Sequence, residues 1–173
     1  GRRYVLNVAT FEHKKAQDVL IDAFALVATR DPDVRLVLVG RATPWLEEIR
    51  QRAASLGLAH RVHFFDDVPH YQVLTFLTHA SVFCLPSRAE GHPVAILEAA
   101  ALGLPIVSTP VGGIAQTIPD DSHGLLVPVG DVPALADAVC RLLADPELAR
   151  ALGRNLQRLV RSEFTGLQSA QRY

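Results

Sequence analysis

Methionine is missing from all 173 residues, even position 1, and Gly1 stands almost directly before a strand-like run. Together these features predict a piece of a longer protein. Cysteine occurs only as Cys84 and Cys140, each in an apolar setting. That excludes a disulfide framework or a cysteine metal site, and predicts two buried thiols in a reducing, cytoplasmic compartment. The net charge is −1 with no block of Lys or Arg, so the chain has no electrostatic footprint for nucleic acid. No apolar stretch approaches the roughly 20 residues needed to cross a bilayer. Charges interrupt the start, where a signal peptide would need an apolar core. Internal repeats, low-complexity tracts and acidic metal-binding clusters are also missing. The seven His are scattered, and His60 and His63 have no Cys or carboxylate partners at a metal spacing.

What is present suits one domain, residues 1–173, with a full core: 49% of the residues are apolar and 20% are charged. Continuous apolar runs predict strands over 4–9, 35–39, 62–65, 81–85, 105–108 and 124–127. Helical stripes and breakers predict helices over 16–29, 44–56, 70–79 and 93–102, with Gly103 closing the last. A short helix is expected after Gly112-Gly113, and two closing helices split at Asp145-Pro146. Runs without polar alternation read as parallel strands buried on both faces. Repeated strand–helix units imply right-handed crossovers and a doubly wound, Rossmann-like, three-layer α/β fold with a mostly parallel sheet of six strands. Ligands in such sheets bind beyond the carboxyl ends of the strands. Thr10 to Lys15, Gly40, Ser87 to Glu90 and Gly112-Gly113 all fall there.

The segment from Glu90 to Glu98 carries the most chemistry. Pro93 reads as the first residue of a helix, where its missing N–H is no loss. The N–H groups of Val94, Ala95 and Ile96 then lack intrahelical acceptors, and with the helix dipole they form an anion site. Gly91 permits close approach of a ligand to the backbone. Glu98 sits among apolar residues and is expected to be partly buried, so it needs partners. A carboxylate there accepts two hydrogen bonds from a vicinal diol such as ribose. The plainer reading is a surface turn with two solvated glutamates. By residue type alone Lys15, beside Lys14, reads as a solvated lysine. Trp45 reads as packing and Asp66-Asp67 as a turn.

The stretch from Pro86 through Pro93, continuing from Glu98 to Thr109, resembles the donor-site signature of GT4-type retaining glycosyltransferases of the GT-B fold. Val111-Gly112-Gly113 and the run from Gly124 to Asp131 match that family further on. Lys15-Ala16-Gln17-Asp18 is similar to its Lys-Gly-x-Asp motif, and Phe164 to Tyr173 to the segment that starts its closing helix. The resemblance implies the C-terminal half of a two-domain enzyme that transfers a hexose-type sugar from a nucleoside diphosphate sugar, most readily a UDP- or GDP-sugar. No metal and no tightly bound cofactor is implied. Carried over, Glu90 contacts the transferred sugar, Glu98 the ribose and Lys15 the phosphates. The amides from Gly91 and His92 to Ile96, with Thr10, Arg41, Ser87, Gly112 and Gly113, complete the donor site. His92 either stacks on or bonds to the sugar, or is solvated.

The sequence departs from the family at several positions. Thr10 replaces an Arg, Ala9 and Ala16 replace Gly, Gln116 replaces a common Glu, and Gly40-Arg41-Ala42 replaces Gly-x-Gly. Arg41 either restores the missing charge or is a solvated surface residue. The resemblance further implies that the acceptor is held by an absent N-terminal domain and that this domain makes no membrane contact of its own. The full-length protein could still rest peripherally at the inner membrane face. Nucleotide binding without turnover is expected of the fragment. The alternatives are an epimerase or phosphorylase half of the same architecture, or a non-catalytic nucleotide-binding or interaction module.

Overall fold

The computed structural model describes residues 3–91 and 93–170, with side chains as far as Glu163. Six strands form one parallel sheet: β1 (Tyr4–Val8), β2 (Arg35–Gly40), β3 (Val62–Asp66), β4 (Val82–Leu85), β5 (Ile106–Ser108) and β6 (Leu125–Leu126). Their spatial order is β3-β2-β1-β4-β5-β6. The chain therefore winds outward from β1 in one direction, then crosses back to wind outward from β4 in the other. Val5 lies opposite Val82 and Leu6 opposite Phe83 at this reversal. The loops leaving β1 and β4 diverge there and open a crevice at their carboxyl ends.

The helices are α1 (Gln17–Arg30), α2 (Trp45–Ser55), α3 (His70–His79), α4 (Val94–Ala101), α5 (Ile114–Thr117), α6 (Val132–Ala144) and α7 (Pro146–Ala170). They cover both faces of the sheet. Because side chains alternate along a strand, each strand feeds two cores. Leu36, Leu38, Val82 and Cys84 face the layer of α1, α2 and α6. Val37, Val39, Phe83 and Leu85 face the layer of α4 and α7. Each fully buried side chain of this kind contributes about 1.5–3 kcal/mol. The expected doubly wound parallel sheet of six strands is present. Among the described residues, no helix is long and apolar enough to cross a membrane.

The differences from expectation are local. β3 is an edge strand, and His63 and Phe65 are exposed on it, so it is not the buried run its composition suggests. Pro93 caps α4 rather than opening it, with φ −80° and ψ 78° outside the helical well, and the helix proper begins at Val94. α7 runs unbroken from Pro146 to Ala170, so Phe164 starts no new helix. Cys84 is buried, which pushes its thiol well above the ordinary range, but Cys140 is only half-buried.

Candidate functional site at the sheet reversal

The β1 side of the crevice is a short tight segment. After Val8 the chain passes Ala9 and Thr10, makes a 3-10 turn over His13–Lys15, and enters α1 through Ala16. Ala16 is left-handed, φ 55°. The Gly that the resemblance places here would adopt that conformation without strain. Gln17, fully buried at the start of α1, donates from Nε2 to the Thr10 carbonyl at 3.0 Å. The Thr43 hydroxyl donates to the Phe11 carbonyl. Gly40 lies so close that a Cβ on it would collide with the Ala9 carbonyl oxygen. Lys15 is thus presented from a segment braced on three sides.

The β4 side is braced as firmly. Ser87 is fully buried; its carbonyl accepts the Thr109 hydroxyl at 2.6 Å, and its own hydroxyl donates to Glu90 Oε1 at 2.6 Å. Lys15 Nζ donates to the same oxygen at 2.7 Å. The Glu90 side chain is only 4% exposed and that of Lys15 only 18%. Gly112, at φ 53°, lies under the Glu90 carbonyl, and the Gly113 N–H donates to the Gly91 carbonyl at 3.2 Å. Arg88 spans the two sides. Its guanidinium takes both Asp18 oxygens, at 2.9 and 2.7 Å, and the His13 carbonyl at 2.6 Å, while its backbone N–H donates to the Lys14 carbonyl at 2.8 Å. Burial alone would raise the Asp18 carboxyl, but the hydrogen bonds and charge of Arg88 outweigh it and hold the group below its ordinary range.

Between the two sides lies a cleft of about 400 Å³. Thr10, Lys15, Glu90, Pro93, Val94, Ala95 and Glu98 line it, with Val8, Val73 and Leu85 forming apolar wall and His70 completing the far rim. Glu98, in the second turn of α4, is 25% exposed, and its Oε1 lies 3.3 Å from His70 Nε2. The cleft lining thus carries two carboxylates, each next to a basic side chain from another element, together with the start of α4. Such a set of groups suits a ligand that carries both hydroxyl groups and negative charge.

Of the residues singled out in the sequence, Thr10, Lys15, Glu90, Pro93, Val94, Ala95 and Glu98 meet in this cleft. Ser87 lies beneath it and reaches it only through Glu90. Gly112 and Gly113 support the turn from below, and the Gly113 amide is committed to Gly91. The Ile96 amide is not free as expected: it donates to the Pro93 carbonyl at 3.0 Å, and its side chain belongs to the core. Gly91 is exposed and does not line the cleft, Arg41 is exposed on the loop after β2, where its carbonyl accepts the Phe11 N–H at 3.1 Å, and is not among the lining residues, and Gln116 is exposed on α5. His92 lies outside the described residues. Lys15 is not the solvated lysine its residue type suggested. Trp45 packs against His13, with ring centroids 5.3 Å apart. Sequence reasoning placed Arg88 and Asp18 within motifs at the carboxyl edge of the sheet but gave neither a role, and it missed His70 as part of the site.

Residues 1–159 match the family model described as glycosyl transferases group 1. A GDP-mannose-dependent alpha-(1-6)-phosphatidylinositol monomannoside mannosyltransferase of Mycolicibacterium smegmatis is 36% identical over 159 residues, covering 88% of this chain and 41% of that protein. The structure of sucrose-phosphate synthase from Thermosynechococcus elongatus superposes with a TM-score of 0.83 at 32% identity, covering 99% of this chain and 45% of that one. The C-terminal domain of a glycosyl transferase group 1 family protein, LpcC of Francisella tularensis, superposes with a TM-score of 0.85 over 93% of this chain and 86% of that domain; at 23% identity it speaks for the fold alone. The chain spans less than half the length of the curated relative.

Proposed function

This chain belongs to the group 1 glycosyl transferases, and from that premise we propose that it is the donor-binding, C-terminal half of a larger two-domain glycosyltransferase. Its ligand is a nucleoside diphosphate sugar. The observation that carries this reading is the placement of Lys15, Glu90 and Glu98 around one cleft at the start of α4. The diphosphate lies against Lys15 and the first turn of α4, where a fixed cation and helix-end amides favour negative charge. Glu98 accepts from the ribose hydroxyls. In Glu90 both partners among the described residues take Oε1, which leaves Oε2 to accept from a hydroxyl of the transferred sugar. The Mycolicibacterium relative's GDP-mannose dependence makes GDP the first base to test and UDP the second.

In transfer, the bond between the anomeric carbon and the diphosphate oxygen breaks, and the acceptor hydroxyl forms the new bond on the retained face. The electron pair leaves with the nucleoside diphosphate, whose leaving oxygen takes the proton that the acceptor hydroxyl releases. Lys15 and the α4 N-terminus stabilise that developing charge from within the chain, without calling on a divalent ion. The acceptor is held by the other domain, so the chain alone binds donor without turning it over. Calorimetry with GDP and UDP tests the reading. The parent chain should bind at least one of them, and Lys15→Ala and Glu98→Ala should each lose about 1–3 kcal/mol. No heat with either nucleotide would favour a non-catalytic module.

A further inference from the structure

His70 was expected only as the start of a helix, and the assigned chemistry of the cleft does not use it. It is the first residue of α3, and its start is stiff. The Pro69 carbonyl accepts the N–H groups of Gln72 at 2.9 Å and Val73 at 3.3 Å. The preceding loop is pinned by the Asp67 N–H to the Gly40 carbonyl at 3.0 Å. This rigid mount brings the imidazole to the rim of the cleft, where Nε2 lies 3.3 Å from Glu98 Oε1. The side chain is 66% exposed, so folding does not require it there. Glu98 comes from α4, a different element, and among the described residues His70 is the partner its carboxylate has. Elsewhere in the cleft lining, Lys15 and Ser87 donate hydrogen bonds to one oxygen of the other carboxylate, Glu90, at 2.7 and 2.6 Å.

We propose that His70 and Glu98 form a ribose-selecting pair: the imidazole anchors one carboxylate oxygen, which turns the other toward the sugar hydroxyls of a bound nucleotide. The inference rests on the donor-site reading and deepens it. His70 is a positioning residue acting through Glu98. A partly exposed carboxylate left without a neighbour samples several rotamers, and ordering it on binding weakens the hydrogen bonds it makes. The imidazole removes that freedom before the ligand arrives. The consequence is selective: His70 matters to ligands that offer ribose hydroxyls and is silent to those that do not.

The test is a cycle between side chain and ligand. The 173-residue chain and its His70→Ala and His70→Gln variants are titrated with GDP, UDP and their 2′,3′-dideoxy analogues. Circular dichroism checks that each variant is folded. For the nucleotide that binds, His70→Ala is expected to weaken binding roughly 5-fold, while its dideoxy analogue changes less than about 2-fold. His70→Gln, which keeps a donor near Glu98, should recover most of the loss. Equal weakening of both ligands, no weakening of either, or no recovery with Gln would overturn the inference while leaving the donor site in place. A parent chain that binds neither GDP nor UDP would remove the donor-site reading, and the inference with it.

Discussion

Arg88 grips both carboxylate oxygens of Asp18 across 70 residues of sequence, and so joins the segment that carries Glu90 to the one that carries Lys15. The pair is half-buried and fork-to-fork, the geometry in which an arginine exceeds a lysine. Arg88 also takes the His13 carbonyl and fixes the turn on which Lys15 stands. Arg88→Lys should therefore fail to rescue. Arg88→Lys and Arg88→Ala are both expected to weaken nucleotide binding by about 1–2 kcal/mol, with Asp18→Ala adding little to either. Calorimetry on the single and double variants checks this. Additive losses would show that the two residues do not act as a pair.

The same pair sets an acid limit. Asp18 sits below its ordinary value of 3.8 in the folded chain. The unfolded chain therefore binds this proton more readily than the folded one. The stability it supplies is complete above 3.8 and is lost as the pH falls through the depressed folded value. Asp18→Asn should flatten the fall in thermal midpoint below pH 4 and lower stability at pH 7. The midpoint measured from pH 7 to pH 2.5 for both proteins checks it. An unchanged acid slope would remove the pair from the account of acid unfolding.

Gly112 supports the Glu90 turn by lacking a side chain. Its φ is 53°, and a Cβ there would strike the Glu90 carbonyl, whereas Gly130, at φ 77°, has open space around it. Gly130→Ala should cost only the backbone strain, about 1 kcal/mol. Gly112→Ala adds displacement of the turn and should cost more than about 2 kcal/mol, a fall in midpoint of roughly 4–8 °C. Differential scanning calorimetry distinguishes them. Equal losses at the two positions would mean that the turn yields freely.

The apolar runs and glycine or proline breakers made the sheet and most helices legible, because buried parallel strands leave an unmistakable mark in sequence. They did not reveal that β3 stands at an edge, where Phe65 is exposed despite its residue type. Glu90 and Glu98 were legible because both flank one turn and helix within nine residues. Lys15 was legible through its motif and not through its residue type, because its ion pair with Glu90 joins positions 75 apart, brought into reach by the order of the strands. The place of His70 and the partner of Arg88 were hidden for the same reason. Ile96 was misjudged because Pro93 stops short of helical geometry, so its carbonyl turns inward and takes the Ile96 amide.

The most direct measurement is a crystal structure of the chain soaked with GDP or, if calorimetry selects it, UDP. The diphosphate is expected within hydrogen-bonding distance of Lys15 Nζ and the first turn of α4, with ribose hydroxyls on Glu98. Nucleotide density away from this cleft, or a bound nucleotide whose diphosphate lies out of reach of Lys15 Nζ with Glu98 turned to bulk water, would contradict the assignment.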